Sequence, residues 1–413
     1  MPFFGMKMGF FYCPERCKNM KKRLLAGLLA AAVLLAGCND NKENTSDNSS
    51  TVSDSQGSGG ENSSPENESY DGKLVFDHAM ELKYAKNFSV DYYKGGYKLV
   101  KIVDGTELLI VPENMRVPAE ISEKTIVLQQ PITNILVSST PTISLISDIG
   151  ALDSVTLTTS DVDSWYIENV KDAFKSGKMA YVGDYAAPDY ELISSTGTKF
   201  SIFSTMLLDE VAAQFKELGV DVMAEYSHKE DHPLARVEWI KLYGAMFNSE
   251  KIAEEKFEAQ EAYINEIAKK ENTGKTVAVF YITSSGKLYA RNAGDYMSKM
   301  VELAGGKYIL SDLKPEDSGT TNMEFEAFFD SAKDADYIIY VWSMGGKPST
   351  LSDFLARGEI LADMKAVKNG NVWCTTPDFF QISNTLGSMV NDINLMLNAD
   401  ESVDKLTYLT KLK

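Results

Sequence analysis

Residues 233–270 form the stretch that most restricts the fold, because long helical periodicity there interrupts two separate runs of alternating short strands and helices. Pro233 to Phe247 reads as one helix, and Asn248-Ser249 offers an N-cap for a second helix running to about Lys270. In the second helix Ile252, Phe257, Ala259, Tyr263, Ile264 and Ile267 supply an apolar side, with Glu and Lys covering the rest. At 1.5 Å per residue such a helix spans roughly 33 Å, about one domain diameter. Upstream, Ile135-Leu-Val, Val155-Thr-Leu-Thr, Phe200-Ser-Ile-Phe and Val220-Asp-Val-Met are short apolar strands, separated by helical segments. Downstream, Val277-Ala-Val-Phe-Tyr, Tyr337-Ile-Ile-Tyr-Val and Asn371-Val-Trp-Cys repeat the rhythm before a closing helix from Ser383 to Leu397. Strands alternating with helices of about ten residues imply parallel sheets with helical crossovers. The expected fold is α/β, with two Rossmann-like lobes bridged by one long α-helix. The lobes are expected at 72–248 and 272–413, and the bridging helix at 249–271.

A β-rich N-terminal portion precedes the first lobe's alternation. Phe88-Ser-Val-Asp-Tyr-Tyr alternates, Lys94-Gly-Gly turns, Tyr97 to Val103 alternates again, and Leu108 to Val111 closes the segment.

The first 71 residues read as an address and a tether. Lys21, Lys22 and Arg23 precede a run of roughly a dozen apolar or small residues, the length of a signal h-region and too short for a membrane span. The run ends Leu35-Ala36-Gly37-Cys38, which resembles the lipobox of bacterial lipoproteins. That resemblance implies cleavage before Cys38, acylation of its thiol and a lipid-anchored protein outside the cytoplasm. Met20 begins a complete signal, so residues 1–19 look like an upstream extension of the 1–37 signal peptide. From 38 to 71 the chain is almost wholly polar and cannot offset its ordering entropy by burial, which predicts a disordered tether with a span on the order of 30 Å.

Charge and composition exclude several functions. The chain carries a formal charge of −18, and residues 1–37 hold six basic residues and one acid, so the remainder stands at −23. A body this acidic argues against nucleic acid and against electrostatic adhesion to anionic lipid. Cys374 is the one thiol left beyond Cys38, so no disulfide is expected within the body. His228-Lys-Glu-Asp-His232 places two histidines at i and i+4, but Lys229 stands where a zincin helix needs Glu, and Pro233 favours an extended segment. No metal bound directly by protein side chains, no cofactor and no catalytic residues are expected. Neither a nucleophile elbow nor a phosphate loop is present.

Several motifs now combine. His232-Pro-Leu-Ala-Arg-Val-Glu-Trp239 is similar to a His-Pro-Leu-Gly-Arg-x-Glu-Trp pattern, with Ala235 where Gly is usual. Pro188-Asp-Tyr-Glu-Leu192, Gly294-Asp-Tyr-Met-Ser-Lys-Met300, Glu302-Leu-Ala-Gly-Gly306, Lys333-Asp-Ala-Asp-Tyr-Ile338 and Val367 to Cys374 follow in order. Together they resemble the solute-binding lipoproteins of bacterial ABC importers that carry ferric siderophores, haem and cobalamin, over about residues 74–397. The resemblance implies a class III periplasmic-binding-protein-like fold and capture of an iron chelate between the lobes. The partners it implies are that small ligand (haem and a corrinoid being the alternatives) and an ABC permease dimer with its ATPase. A monomer is expected. It also implies one permease-docking carboxylate per lobe. Glu191 and Glu326 match those positions, with Glu324 a near competitor for the second.

Ligands of α/β sheets bind beyond the carboxyl ends of strands, and two facing lobes put those loops around one cleft. The candidates there are Ser139, Thr140, Trp165, Tyr166, Thr205 and Tyr226 from the first lobe. From the second come Ser285, Arg291, Trp342, Phe379 and Phe380. Aromatic and hydroxyl groups suit a large planar or chelate ligand, and Arg291 suits an anionic one. A surface adhesin or scaffold reusing the two-lobed fold is the alternative from another class, since an acidic tether fits it equally.

Overall fold

The structure is a computed structural model that describes residues 73–342, 347–398 and 403–413. The signal segment, Cys38 and the tether lie outside the described residues, as do residues 343–346, which follow the candidate Trp342.

Three sheets organise the described chain. The N-terminal sheet contains β1 (Phe76–Ala79), β2 (Phe88–Tyr93), β3 (Lys98–Ile102), β4 (Glu107–Val111) and β5 (Ile126–Gln129), in that order. The first four strands are antiparallel, and β5 joins β4 in parallel, so this sheet extends beyond the Val111 closure expected from its alternation. The N-lobe sheet contains β6 (Ile135–Val137), β7 (Val155–Thr158), β8 (Ala180–Tyr181), β9 (Phe200–Ser204) and β10 (Asp221–Glu225). All its pairs are parallel, in the order β10-β9-β6-β7-β8. Its crossover helices are α1 (Thr140–Asp148), α2 (Glu168–Lys175), α3 (Tyr190–Ser195) and α4 (Asp209–Glu217). Covered on both faces, its central strands read as short apolar runs without alternation.

A helical hairpin follows. Pro233–Met246 is α5 and Glu250–Ala268 is α6, whose 19 residues span roughly 28 Å. The bridge is therefore doubled. The amphipathic α6 packs on α5 and on the closing helix of the C-lobe, whereas α5 touches α1, β2 and C-lobe helices and is buried along nearly its whole length. A helix covered on every side belongs in a core, and the charged Glu238 and Lys241 are buried there as a pair 3.4 Å apart. The turn between the two helices differs from the capping expectation. Asn248 takes a left-handed φ of 54°, and its Oδ1 accepts from Lys98 Nζ and Gln130 Nε2, both at 2.8 Å, rather than capping α6.

The C-lobe sheet runs β14-β12-β11-β15-β16-β17, with β13 beside β11. These strands are β11 (Thr276–Ile282), β12 (Leu288–Arg291), β13 (Lys307–Tyr308), β14 (Thr320–Met323), β15 (Tyr337–Tyr340), β16 (Val372–Thr375) and β17 (Leu409–Lys411). Its helices are α7 (Tyr296–Leu303), α8 (Phe325–Ala332), α9 (Leu351–Leu355), α10 (Lys365–Lys368) and α11 (Leu386–Asn398). One buried apolar core continues from the N-terminal sheet through α5 into this lobe, and a second fills the far face of the N-lobe sheet around Phe203 and Phe215.

The N-terminal sheet is strapped to α5 at both ends. Glu238 accepts the main-chain amides of Lys83, Tyr84 and Ala85 at 2.9, 2.8 and 2.8 Å. Glu230 accepts those of Lys86 and Asn87, plus the Trp239 indole N–H at 3.1 Å. At the other end Lys98 Nζ donates to Ala245 O at 2.8 Å, a cation placed on a helix C-terminus where the dipole favours it. Cys374 is buried on β16, and burial pushes its thiol up to about 12.

Candidate functional site

A cavity of about 520 Å³ opens between the lobes. Pro141 in the first turn of α1, with Met206 and His228 just beyond β9 and β10, reaches it from the carboxyl ends of the N-lobe strands. Arg236 enters from α5, and Tyr281, Arg291, Asp295 and Tyr296 from the C-lobe. Phe379 and Phe380, ring centroids 5.3 Å apart and edge-on, form an aromatic wall with Ile382 and Leu386.

Two guanidinium groups flank one tyrosine. Arg236 Cζ lies 3.5 Å from the Tyr296 ring centroid, and Arg291 Cζ lies 5.9 Å from it. The first is within close cation–π distance. Arg236 is held by Nη2 donating to His228 O at 2.6 Å and by Nε donating to Glu230 O at 3.4 Å. Burial lowers its pKa, yet an arginine keeps its charge at neutral pH. For Arg291, burial opposes the charge, but Asp295 and Tyr296 outweigh it and hold the pKa above its ordinary value. Arg291 Nη1 stands 3.5 Å from Asp295 Oδ1, while its Nε is a buried donor without a partner among the described residues.

Asp295 itself is fully buried and committed locally. Its Oδ1 accepts Met297 N at 3.0 Å, capping α7, and its Oδ2 accepts Gly319 N at 2.8 Å. This explains the Gly294-Asp295-Tyr296 motif: a Cβ at Gly294 would lie 2.5 Å from Pro315 O, so only glycine lets the 315–317 loop close over the helix start. The cavity lining itself holds two guanidiniums and one carboxylate, while the buried Glu225 acts on Arg236 from outside that lining. Such a site attracts an anion, and the aromatic wall gives that anion flat apolar contact.

Arg291, Phe379 and Phe380 are the sequence candidates that line the cavity. Thr205 stands behind it, its Oγ1 paired with His228 Nε2 at 2.8 Å. Ser139 is the residue before α1 and Thr140 its first residue, adjacent to the lining Pro141. Trp165 is a correction: it is buried in the core with its indole donating to Ser160 O at 3.2 Å, so it offers no ring to a ligand. Ser285 is another, exposed in the β11–β12 turn and paired with Thr283. Tyr226 turns its phenol toward Asp104 of the N-terminal sheet, its pKa raised by burial and by that carboxylate. Trp342 is half-buried against the core, its main-chain N–H donating to Thr375 Oγ1 at 2.8 Å. Tyr166 leaves its ring exposed and contributes its main-chain amide to Gln381 instead.

Sequence reasoning missed Arg236, Tyr281 and Tyr296. The first and last sit inside quoted motifs, and arginine beside an aromatic in two facing motifs was the available signal. Among the described residues no group of three or more His, Cys, Asp or Glu side chains is placed to hold a metal ion. His228 bonds Thr205, whereas His232 caps α5 through Nδ1, accepting Leu234 N at 3.1 Å, so the two are used separately. Glu191 and Glu326 are exposed, in the first turns of α3 and α8.

A parallel-sheet N-lobe and a mixed-sheet C-lobe flank a helical bridge, with a charged and aromatic cavity between them, and this defines a two-lobed α/β protein. Residues 182–379 match the family described as periplasmic binding protein. Two uncharacterised lipoproteins of Methanocaldococcus jannaschii are each 27% identical to the chain. The alignments run over 390 and 350 residues, covering 88% and 80% of this chain and 89% and 87% of those proteins. Among solved structures, the periplasmic haem-binding protein HutB of Vibrio cholerae is similar in fold with a TM-score of 0.52 at 16% identity, covering 65% of this chain and 99% of that one. An ABC-type Fe3+-hydroxamate transport protein of Saccharomonospora viridis gives 0.53 at 17% identity, over 65% and 94%. The match over residues 182–379 and the shared fold make this chain similar to periplasmic binding proteins.

Proposed function

We propose that this protein captures an anionic iron chelate, of the ferric-siderophore kind, in the inter-lobe cavity and delivers it to an ABC permease from a lipid anchor at Cys38. The observation that carries the reading is the Arg236–Tyr296–Arg291 stack beside the Phe379–Phe380 wall. A chelate with anionic donor groups around a metal presents both negative charge and flat ligand surface, and these two features of the cavity meet them. The proteins of similar fold that act on haem and on ferric hydroxamate support the same ligand class. The lipoprotein names of the archaeal relatives support the anchor. Among the described residues no helix is long and apolar enough to cross a membrane.

Titration with ferric siderophores, haem, cobalamin, a sugar and a peptide, followed by calorimetry, tests the ligand class. Binding of an anionic ferric chelate is expected, with Arg291→Ala weakening it about tenfold or more, the loss of one charge-assisted contact. Haem or cobalamin binding alone would keep the transport role and change the ligand. Binding confined to the sugar or peptide would overturn the proposal.

A further inference from the structure

Two short 3₁₀ turns, Pro377–Gln381 and Ser383–Thr385, join β16 to α11 and pack against α1 and α5. Their side chains divide between two tasks. Phe379, Phe380, Ile382 and Ser383 line the cavity. Gln381 and Asn384 bond across to the N-lobe instead. Gln381 Nε2 donates to Ser164 O at 2.7 Å, and its Oε1 accepts Tyr166 N at 2.9 Å. Ser144 Oγ donates to Asn384 Oδ1 at 2.8 Å. Gln381 is 7% exposed, so its amide is a buried polar group with both ends satisfied by main chain of the other lobe.

We propose that Gln381 is a positioning residue: it latches the ligand-facing turn of the C-lobe to the 164–166 loop of the N-lobe and so sets the lobe spacing that retains a ligand. The residue immediately after the aromatic wall holds the latch, so the wall cannot shift without straining the two cross-lobe hydrogen bonds. A main-chain partner on each end of the amide fixes direction as well as distance. Glu at this position keeps an acceptor for the Tyr166 amide, loses the donor to Ser164 O and buries a charge. Ala loses both bonds. Asn384 supplies a third bond at the far end of the same segment and acts in the same sense.

The retention role rests on the proposed function, whereas the latch itself does not, and the test separates them. Hydrogen exchange on the ligand-free, full-length protein reads the latch, and stopped-flow release of ferric citrate, an anionic ferric chelate, reads retention. In Gln381→Ala the amide of Tyr166 is expected to exchange at least tenfold faster while β7 keeps its parental protection. Release is expected to speed up about tenfold with the association rate within twofold, because loss of a contact between closed lobes acts mainly on the off-rate. Asn384→Ala is expected to give a smaller change of the same kind. Unchanged exchange at Tyr166 in Gln381→Ala would overturn the latch. Faster exchange with parental release would overturn its role in retention. A parental protein that binds neither ferric citrate nor any other ferric chelate removes the cleft reading and the retention role together, and exchange alone then judges the latch.

Discussion

Glu238 has no solvent exposure, lies in the second turn of α5 and accepts three consecutive main-chain amides from residues 83–85, with Lys241 Nζ 3.4 Å away. A buried carboxylate is tolerated when hydrogen bonds and a cation compensate its desolvation. Removing it leaves three donors without partners. Glu238→Ala is therefore expected to lower the unfolding free energy by about 3 kcal/mol, and Glu238→Gln by less, since one oxygen remains to accept. Urea denaturation checks this. A loss under about 1 kcal/mol would mean that other contacts hold the 83–87 segment. The neighbouring His232 gives a pH signature. Its ring stacks on Tyr84 at 4.9 Å, its Nδ1 accepts Leu234 N, and burial lowers its pKa from the ordinary 6.5. Below that value the unfolded chain binds a proton that the native ring resists. Its contribution to stability is therefore full above pH 6.5 and is lost as pH falls below 6.5 toward the folded value. The stability difference between the parent and His232→Asn should shrink from pH 7.5 to pH 5.5. A difference that stays flat would exclude His232 as the titrating group, because Glu230, whose burial raises its pKa, is common to both proteins.

At the scale of elements, the α5–α6 hairpin is set by a close approach. A Cβ on Gly244 would stand 2.6 Å from Ala253 Cβ and 3.2 Å from Glu250 Cα. Helix propensity alone favours Ala over Gly by about 1 kcal/mol, so an exposed helix would gain from the change. Here the overlap with α6 dominates. Gly244→Ala is expected to destabilise by about 1–3 kcal/mol, as overpacking does in other cores. Ala253→Gly in the same chain should recover part of the loss by clearing the contact. Thermal denaturation of the two variants settles the matter, and a stabilised single variant would show that the helices separate freely. The N-terminal sheet grips this hairpin through Lys98 and Gln130, both bonded to Asn248 Oδ1 and to α5 carbonyls. Its stability is thus tied to the bridge as well as to the apolar core it shares with the lobes.

For the whole molecule, the proposed transport role assigns Glu191 and Glu326 to docking on basic residues of the permease. Both are exposed on α3 and α8, one helix from each lobe, where charges govern orientation and association rate more than affinity. Replacing both with Ala should leave ligand affinity at the parental value while uptake falls, each single change giving a smaller loss. Parental uptake in the double variant would withdraw the assignment, and Glu324→Ala checks the register on α8. Reduced ligand affinity would instead tie these carboxylates to the cleft.

Local periodicity carried much of this protein. Short apolar runs such as Ile135–Val137 and Val277–Tyr281 marked buried parallel strands, and the 3.6-residue pattern of α6 marked a helix with one covered face. Arg291, Phe379 and Phe380 were legible as cleft residues because strand ends place them there. The tertiary structure decided what no local window encodes. Glu238 meets its amide partners across 153 to 155 residues, and Gln381 meets Ser164 across 217. Trp165 and Tyr166 are adjacent, yet one ring packs in the core and the other stays exposed. Arg236 belonged to a helix motif in sequence and to a cation–π stack in space, because Tyr296 comes from the other lobe. Hydrophobic period is a property of neighbouring residues and is written along the chain. Which charge is desolvated, and against what, depends on surfaces that meet only after the chain has folded.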